Sequence, residues 1–175
     1  MEQGIGQPLL DHLDVRTLQA GVPQEVINRP RGRTAARLVG QRNLFRGRVR
    51  GPADDGPGRL LLEWGERVLS VETQERFAPG TKVDWMVPAS AVLWHRPDRP
   101  VSGDRENPVE GRILELLALG DSWRVTLAVD GPGDHRLFFD LPAHAARRHG
   151  LAAGDKARVS LLGSAIHLLP MEHTA

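Results

Sequence analysis

Residues 80–92, GTKVDWMVPASAV, align without a gap with residues 154–166, GDKARVSLLGSAI. Gly, Lys, Ser and Ala coincide, and the alternate positions Val83, Trp85 and Val87 correspond to Ala157, Val159 and Leu161. A period of two marks a strand with one face on a core and the other in water. Sequence and facing therefore repeat together. Upstream, NLFRGRV from Asn43 corresponds to NPVEGRI from Asn107, with Phe45 and Val49 matched to Val109 and Ile113. Between these blocks, RVLSVE from Arg67 corresponds to HRLFFD from His135. Each copy offers about five short strands in roughly 60 residues, the scale of an OB-like barrel. An array would continue, whereas this repeat stops at two. Two copies imply a paired barrel with strands or contacts shared between them.

The bulk numbers agree. In 175 residues, 40% are hydrophobic, enough for packed cores. Nineteen Gly and thirteen Pro punctuate short apolar runs, which favours strands and turns over long helices. A net charge of +1 gives no strong pull toward nucleic acid or anionic lipid. The absence of cysteine removes disulfides, thiolate metal sites and cysteine nucleophiles. No apolar run approaches the ~20 residues of a membrane span, and no basic segment leads into an apolar one at the N-terminus. A cytoplasmic location is expected.

The local signals are specific. WRVTLAVD places Trp123, Val125, Leu127 and Val129 on one face. The turn clusters GPADDGPG from Gly51 and DGPGDH from Asp130 predict hairpins. QEVINRP from Gln24 predicts a short helix stopped by Pro30. RTAARLVG from Arg33 predicts a second, with Thr34 as N-cap and Gly40 as stop. LPAHAARRHG from Leu141 predicts a third, entered at Pro142 and ended at Gly150. Trp85 and Trp123 read as core, while Trp64 and Trp94 stand open between core and a partner interface. The expected fold is mainly β: two tandem OB-like barrels behind a short helical N-terminal segment, divided as 1–40, 41–98 and 99–175.

The stretch LQAGVPQEVINRP…AARLVGQRNLFRGRV carries a resemblance through Gln19, Gly21, Pro23, Glu25, Val26, Pro30, Ala36, Gly40 and Asn43. It resembles the place where an ABC-importer nucleotide-binding domain ends and its accessory domains begin. The two β units resemble the transport-associated OB domains called TOBE and the related molybdate-binding modules called MOP. The resemblance covers about residues 18–170. It implies an accessory, regulatory C-terminal region whose barrels meet across a homodimer, partnered by ABC-type ATPase and transporter subunits. Membrane contact would be indirect, with the chain peripheral to the inner membrane when assembled in a transporter. The chain has no G-x-x-x-x-G-K-S/T loop, whose backbone amides and lysine hold nucleotide phosphates. It also has no LSGGQ-like signature and no hydrophobic strand ending in Asp-Glu. ATP hydrolysis, or any other enzyme activity, is therefore not expected.

MOP modules resemble a Ser-x-Arg-Asn entry, a Thr-x-x-Ser-Ala loop and a late Ile-Lys. By that resemblance the candidate ligand residues are Arg42, Asn43, Ser90, Arg105, Asn107 and Ser164. The ligand class would be molybdate or tungstate, held by amides, hydroxyls and a cation. No other cofactor is implied. The pattern is incomplete: Gly40 replaces the entry serine, LPAHAA from Leu141 lacks the loop hydroxyls, and the late lysine falls near Leu162 and Pro88. The competing reading makes Asn43 and Asn107 turn-closing residues and makes Ser90 and Ser164 turn hydroxyls bonded to their own backbone. Lys82 and Lys156 recur after a Gly as solvated strand ends. His144 and His149, five apart, do not stack on one helix face, so no metal site is expected. Two further alternatives remain. One is an OB-fold nucleic-acid binder, disfavoured by 5% aromatics and by 22 acidic against 23 basic residues. The other is a free-standing oxyanion store.

Overall fold

The computed structural model describes residues 30–54, 57–95 and 107–171. The helix expected from Gln24 lies outside them, as does Arg105. Helix α1 is Arg33–Leu38. Strands β1 (Leu44–Pro52), β2 (Arg59–Trp64), β3 (Arg67–Glu72), β4 (Lys82–Met86) and β5 (Val92–Trp94) follow. The second copy supplies β6 (Pro108–Leu119), β7 (Ser122–Val129), β8 (Arg136–Pro142), α2 (Ala143–Arg148), β9 (Lys156–Leu161) and β10 (His167–Pro170). One-turn 3-10 helices at Ala89–Ala91 and Gly163–Ala165 precede β5 and β10.

The strands form two five-stranded antiparallel, barrel-like OB-type sheets, ordered β10-β4-β1-β2-β3 and β5-β9-β6-β7-β8. In each, a three-strand meander is joined by a return strand, and the fifth strand comes from the other copy. β5 pairs with β9 through Val92–Leu161, Leu93–Ser160 and Trp94–Val159. β10 pairs with β4 through His167–Met86, Leu168–Trp85, Leu169–Asp84 and Pro170–Val83. The expected sharing between copies is thus a reciprocal exchange of final strands. Both turn clusters close hairpins, β1–β2 and β7–β8.

The inward positions of both copies join in one apolar core, from Val49, Leu62 and Trp85 to Leu127, Phe139 and Leu161. Phe45 stands 4.8 Å from both Trp64 and Trp85, and the two indoles cross at 5.0 Å and 84°. Edge-to-face packing suits the ring quadrupoles. Trp64 is 1% exposed and so belongs to the core, not to a partner interface. Trp94 is half-buried, its ring 5.1 Å from that of His149.

The matched glycines of the Gly-Arg pairs are steric necessities. A Cβ on Gly47 would stand 2.8 Å from the Glu63 carbonyl oxygen, and one on Gly111 would overlap that of Ala128. There β1 and β6 cross their neighbours closely.

Helix α1 covers the outer face of the first sheet. Ala36 packs with Met86, Leu169 and Leu44, and Arg33 binds Asp84, which is 3% exposed, at 2.7 Å. β4 is therefore buried on both faces. The N-cap of α1 is Gly32, extended at φ −165° and with no side-chain cap bond, rather than Thr34. The helix opens two residues earlier than expected, placing Thr34 inside its first turn. Gly40 and Gly150, at φ +80° and +60°, follow the ends of α1 and α2. Pro142 is the N-cap of α2.

Candidate binding site at the junctions of the two units

The exchange creates two related junctions. At the first, Asn43 is 2% exposed and precedes β1. Its Nδ2 donates to the Phe138 carbonyl at 2.7 Å, and its Oδ1 accepts from the Phe138 N–H at 2.7 Å. At the second, Nδ2 of Asn107 donates to the carbonyls of Ser70 at 2.9 Å and Leu161 at 3.0 Å. Its Oδ1 accepts from the Ser70 N–H at 2.7 Å. Ser70 and Phe138 are matched positions of the repeat. Each carboxamide thus takes the place of a neighbouring strand along the outer edge of β3 or β8. This satisfies backbone groups that would otherwise be left open. Asn107 holds φ +39°, a conformation that Asn tolerates better than most residues.

The 3-10 turns complete the junctions. The turn carrying Ser90 packs against β8, and that carrying Ser164 packs against β3. Gly163 is pressed so close that a Cβ there would lie 2.6 Å from the Ser70 carbonyl oxygen. Ser90 and Ser164 are exposed. Neither hydroxyl, nor either residue's N–H, has a hydrogen-bond partner among the described residues. The turn-hydroxyl expectation is therefore corrected: these side chains point to solvent and do not close the turn. Arg42 lies over Phe138, its guanidinium carbon 5.0 Å from the ring centroid.

The structure therefore gathers Arg42, Asn43 and Ser90 about one junction and Asn107 and Ser164 about the other. The sequence reading missed what the asparagines do. Their recurrence was visible, but their partners lie 95 and 37 positions away. Each junction can offer an anion an exposed hydroxyl and a peptide N–H, and the first adds a guanidinium. Leu162 and Pro88 supply no cation, and the Leu162 N–H is bonded to the Ala91 carbonyl at 3.2 Å.

A shallow cavity of about 370 Å³ elsewhere is lined by Leu119, Asp121, Ser122, Asp140, Leu141 and Pro142. Its two carboxylates disfavour an anion. Asp140 is gripped by Arg124 at 2.9 and 3.1 Å, and that hydrogen bonding raises the guanidinium above its ordinary value. Among the described residues, no group of three His, Asp or Glu side chains has the arrangement of a metal site. No helix there is long and apolar enough to cross a membrane.

Fold and junctions together define a paired, strand-exchanged OB-type module. A TOBE-domain family model matches residues 96–169. The fold is similar to that of the cytoplasmic molybdate-binding protein ModG, solved with molybdate bound. The TM-score is 0.64, with 20% sequence identity over 75% of this chain and 97% of that one. At that identity the likeness speaks to the fold. Among curated proteins, none matches the chain by sequence.

Proposed function

We propose that this chain is a cytoplasmic, non-enzymatic binding module whose ligand is an oxyanion of the molybdate–tungstate class. The carrying observation is the matched pair of exposed serines, Ser90 and Ser164, each with an uncommitted N–H at a junction between the units. The ModG-like fold supports the ligand class, because that protein is molybdate-binding. In this reading Ser90, Ser164 and Arg42 meet the anion. Asn43 and Asn107 hold the turns in place. The two repeat units run over 41–98 and 99–175, each barrel completed by the last strand of the other unit, and the chain works as a homodimer. Backbone amides supply much of what the missing lysine and loop hydroxyls would give.

Thermal unfolding with molybdate, tungstate or sulfate tests this. Ligand binding to the native state raises its stability by RT ln(1 + [L]/Kd). The expected result is a rise in Tm with molybdate or tungstate that Ser90→Ala with Ser164→Ala abolishes. A Tm unchanged by all three anions would refute the ligand assignment.

A second reading is favoured by the stretch from Gln19 to Asn43 and by the TOBE match. In it, the module is the accessory region of an ABC-importer ATP-binding subunit, peripheral to the membrane through its transporter partners. Stable co-purification with an ABC-type ATPase would support it, and a chain that captures no ATPase would not.

A further inference from the structure

Strand β6 runs past its neighbour on one side. It pairs with β9 only from Pro108 to Arg112, while its pairing with β7 continues to Leu119. Among the described residues, the stretch from Leu114 to Leu119 has one paired edge and one open edge. The phase of the open edge follows from the first junction. Phe138 turns its N–H and carbonyl outward to Asn43, so its cross-strand neighbour Thr126 turns its own toward β6. Thr126 opposes Glu115. By alternation Leu117 and Leu119 bond β7, and Leu116 and Ala118 present their N–H and carbonyl groups to solvent.

Three apolar side chains of this arm are uncovered, while Leu116 packs partly against the core. Leu114 is 43% exposed, Leu117 50% and Leu119 41%. Natural sheets protect open edges with proline, lysine or a covering group. The edges of β3 and β8 have their asparagine caps, whereas beyond the bulge and charge at Leu114–Glu115 the edge from Leu116 to Leu119 has no proline, charge or cap among the described residues.

We propose that this arm is a self-association strand, pairing antiparallel with the same strand of a second copy about a two-fold axis at Leu117. That register sets Leu116 opposite Ala118 of the second copy, and the reverse, which pairs all the outward backbone groups of both residues. Glu115 falls opposite Leu119, so no like charges meet. Leu117 faces itself at a non-hydrogen-bonded position, with Cα atoms about 4.5 Å apart. One short strand pair buries less than the ~1,200 Å² of a standard stable interface, so the dimer depends on concentration. The inference names the contact for the homodimer proposed above and rests on that part of the reading. It is independent of the oxyanion.

The chain has no cysteine, so one introduced thiol reports a single contact. Leu117→Cys is expected to form a disulfide-linked dimer under mild oxidation, since the Cα spacing lies within the roughly 4.4–6.8 Å of disulfides. Leu38→Cys, at a residue 74% exposed but away from the arm, is expected to stay uncrosslinked. In sedimentation velocity, wild type should dimerise with rising concentration. Ala118→Pro, which removes only an outward N–H, should remain monomeric with unchanged circular dichroism. A wild-type dimer with no crosslink at 117 would overturn the arm contact and leave self-association standing. A wild type that stays monomeric at every concentration would overturn both.

Discussion

The carboxamide of Asn43 binds the peptide of Phe138 through two hydrogen bonds of 2.7 Å each. A residue of the first unit thereby completes the outer edge of a strand in the second. Asn107 does the same to Ser70. With the exchanged strands β5 and β10, these contacts make the two units one mechanical body.

Removing either carboxamide leaves a half-buried peptide edge without those partners. Asn43→Ala and Asn107→Ala should each destabilise by about 1–3 kcal/mol. Asn107→Ala should be the worse, because it loses three bonds and forces Ala to φ +39°. Urea midpoints of the two variants measure this, and equal, negligible shifts would deny the asparagines their role.

The shared core predicts one unfolding transition. Trp64 and Trp85 lie in the first sheet and Trp94 and Trp123 in the second, so fluorescence samples side-chain packing in both sheets and backbone circular dichroism samples the strands. The fluorescence and dichroism curves should coincide in temperature and denaturant. Two separated transitions would show that the units fold apart.

The close strand crossing makes Gly111 intolerant. Gly111→Ala should cost about 3 kcal/mol through overpacking against the Ala128 carbonyl. Gly80→Ala, with open space around it but φ +85°, should cost only about 1–2 kcal/mol of backbone strain. Comparing Tm values of the two variants separates steric overlap from conformational preference.

Asp84 is buried beneath α1, with Arg33 at 2.7 Å and Arg46 at 3.7 Å. Arg33→Ala should destabilise by about 2 kcal/mol, because a buried carboxylate loses its closest cation. Adding Asp84→Asn should recover part of that loss. A double-mutant cycle with no coupling would assign α1 docking to Ala36 and Met86 alone.

The repeat made most of the fold legible. Val83, Trp85 and Val87 recur as Ala157, Val159 and Leu161, and all six are buried. Local turn chemistry located both hairpins and α2. Period and turn signals, however, are local. They cannot say that β5 belongs with β9 or that β10 belongs with β4, because strand exchange leaves the in/out pattern of each strand unchanged. The same limit hid the asparagine contacts and the Arg33–Asp84 pair, which join residues 51 positions apart. Trp64 escaped because its run, RLLLEW, is apolar without clear alternation. The exposure of Ser90 and Ser164 was hidden in another way: a short turn can aim its hydroxyl inward or outward with the same sequence.

The most direct test of the account is calorimetric titration of the purified chain with molybdate, tungstate and sulfate. Binding at the matched junctions predicts saturable, stoichiometric heat with molybdate or tungstate, lost together in the Ser90→Ala, Ser164→Ala double variant. An absence of heat with all three anions, from a chain that remains folded, would contradict it.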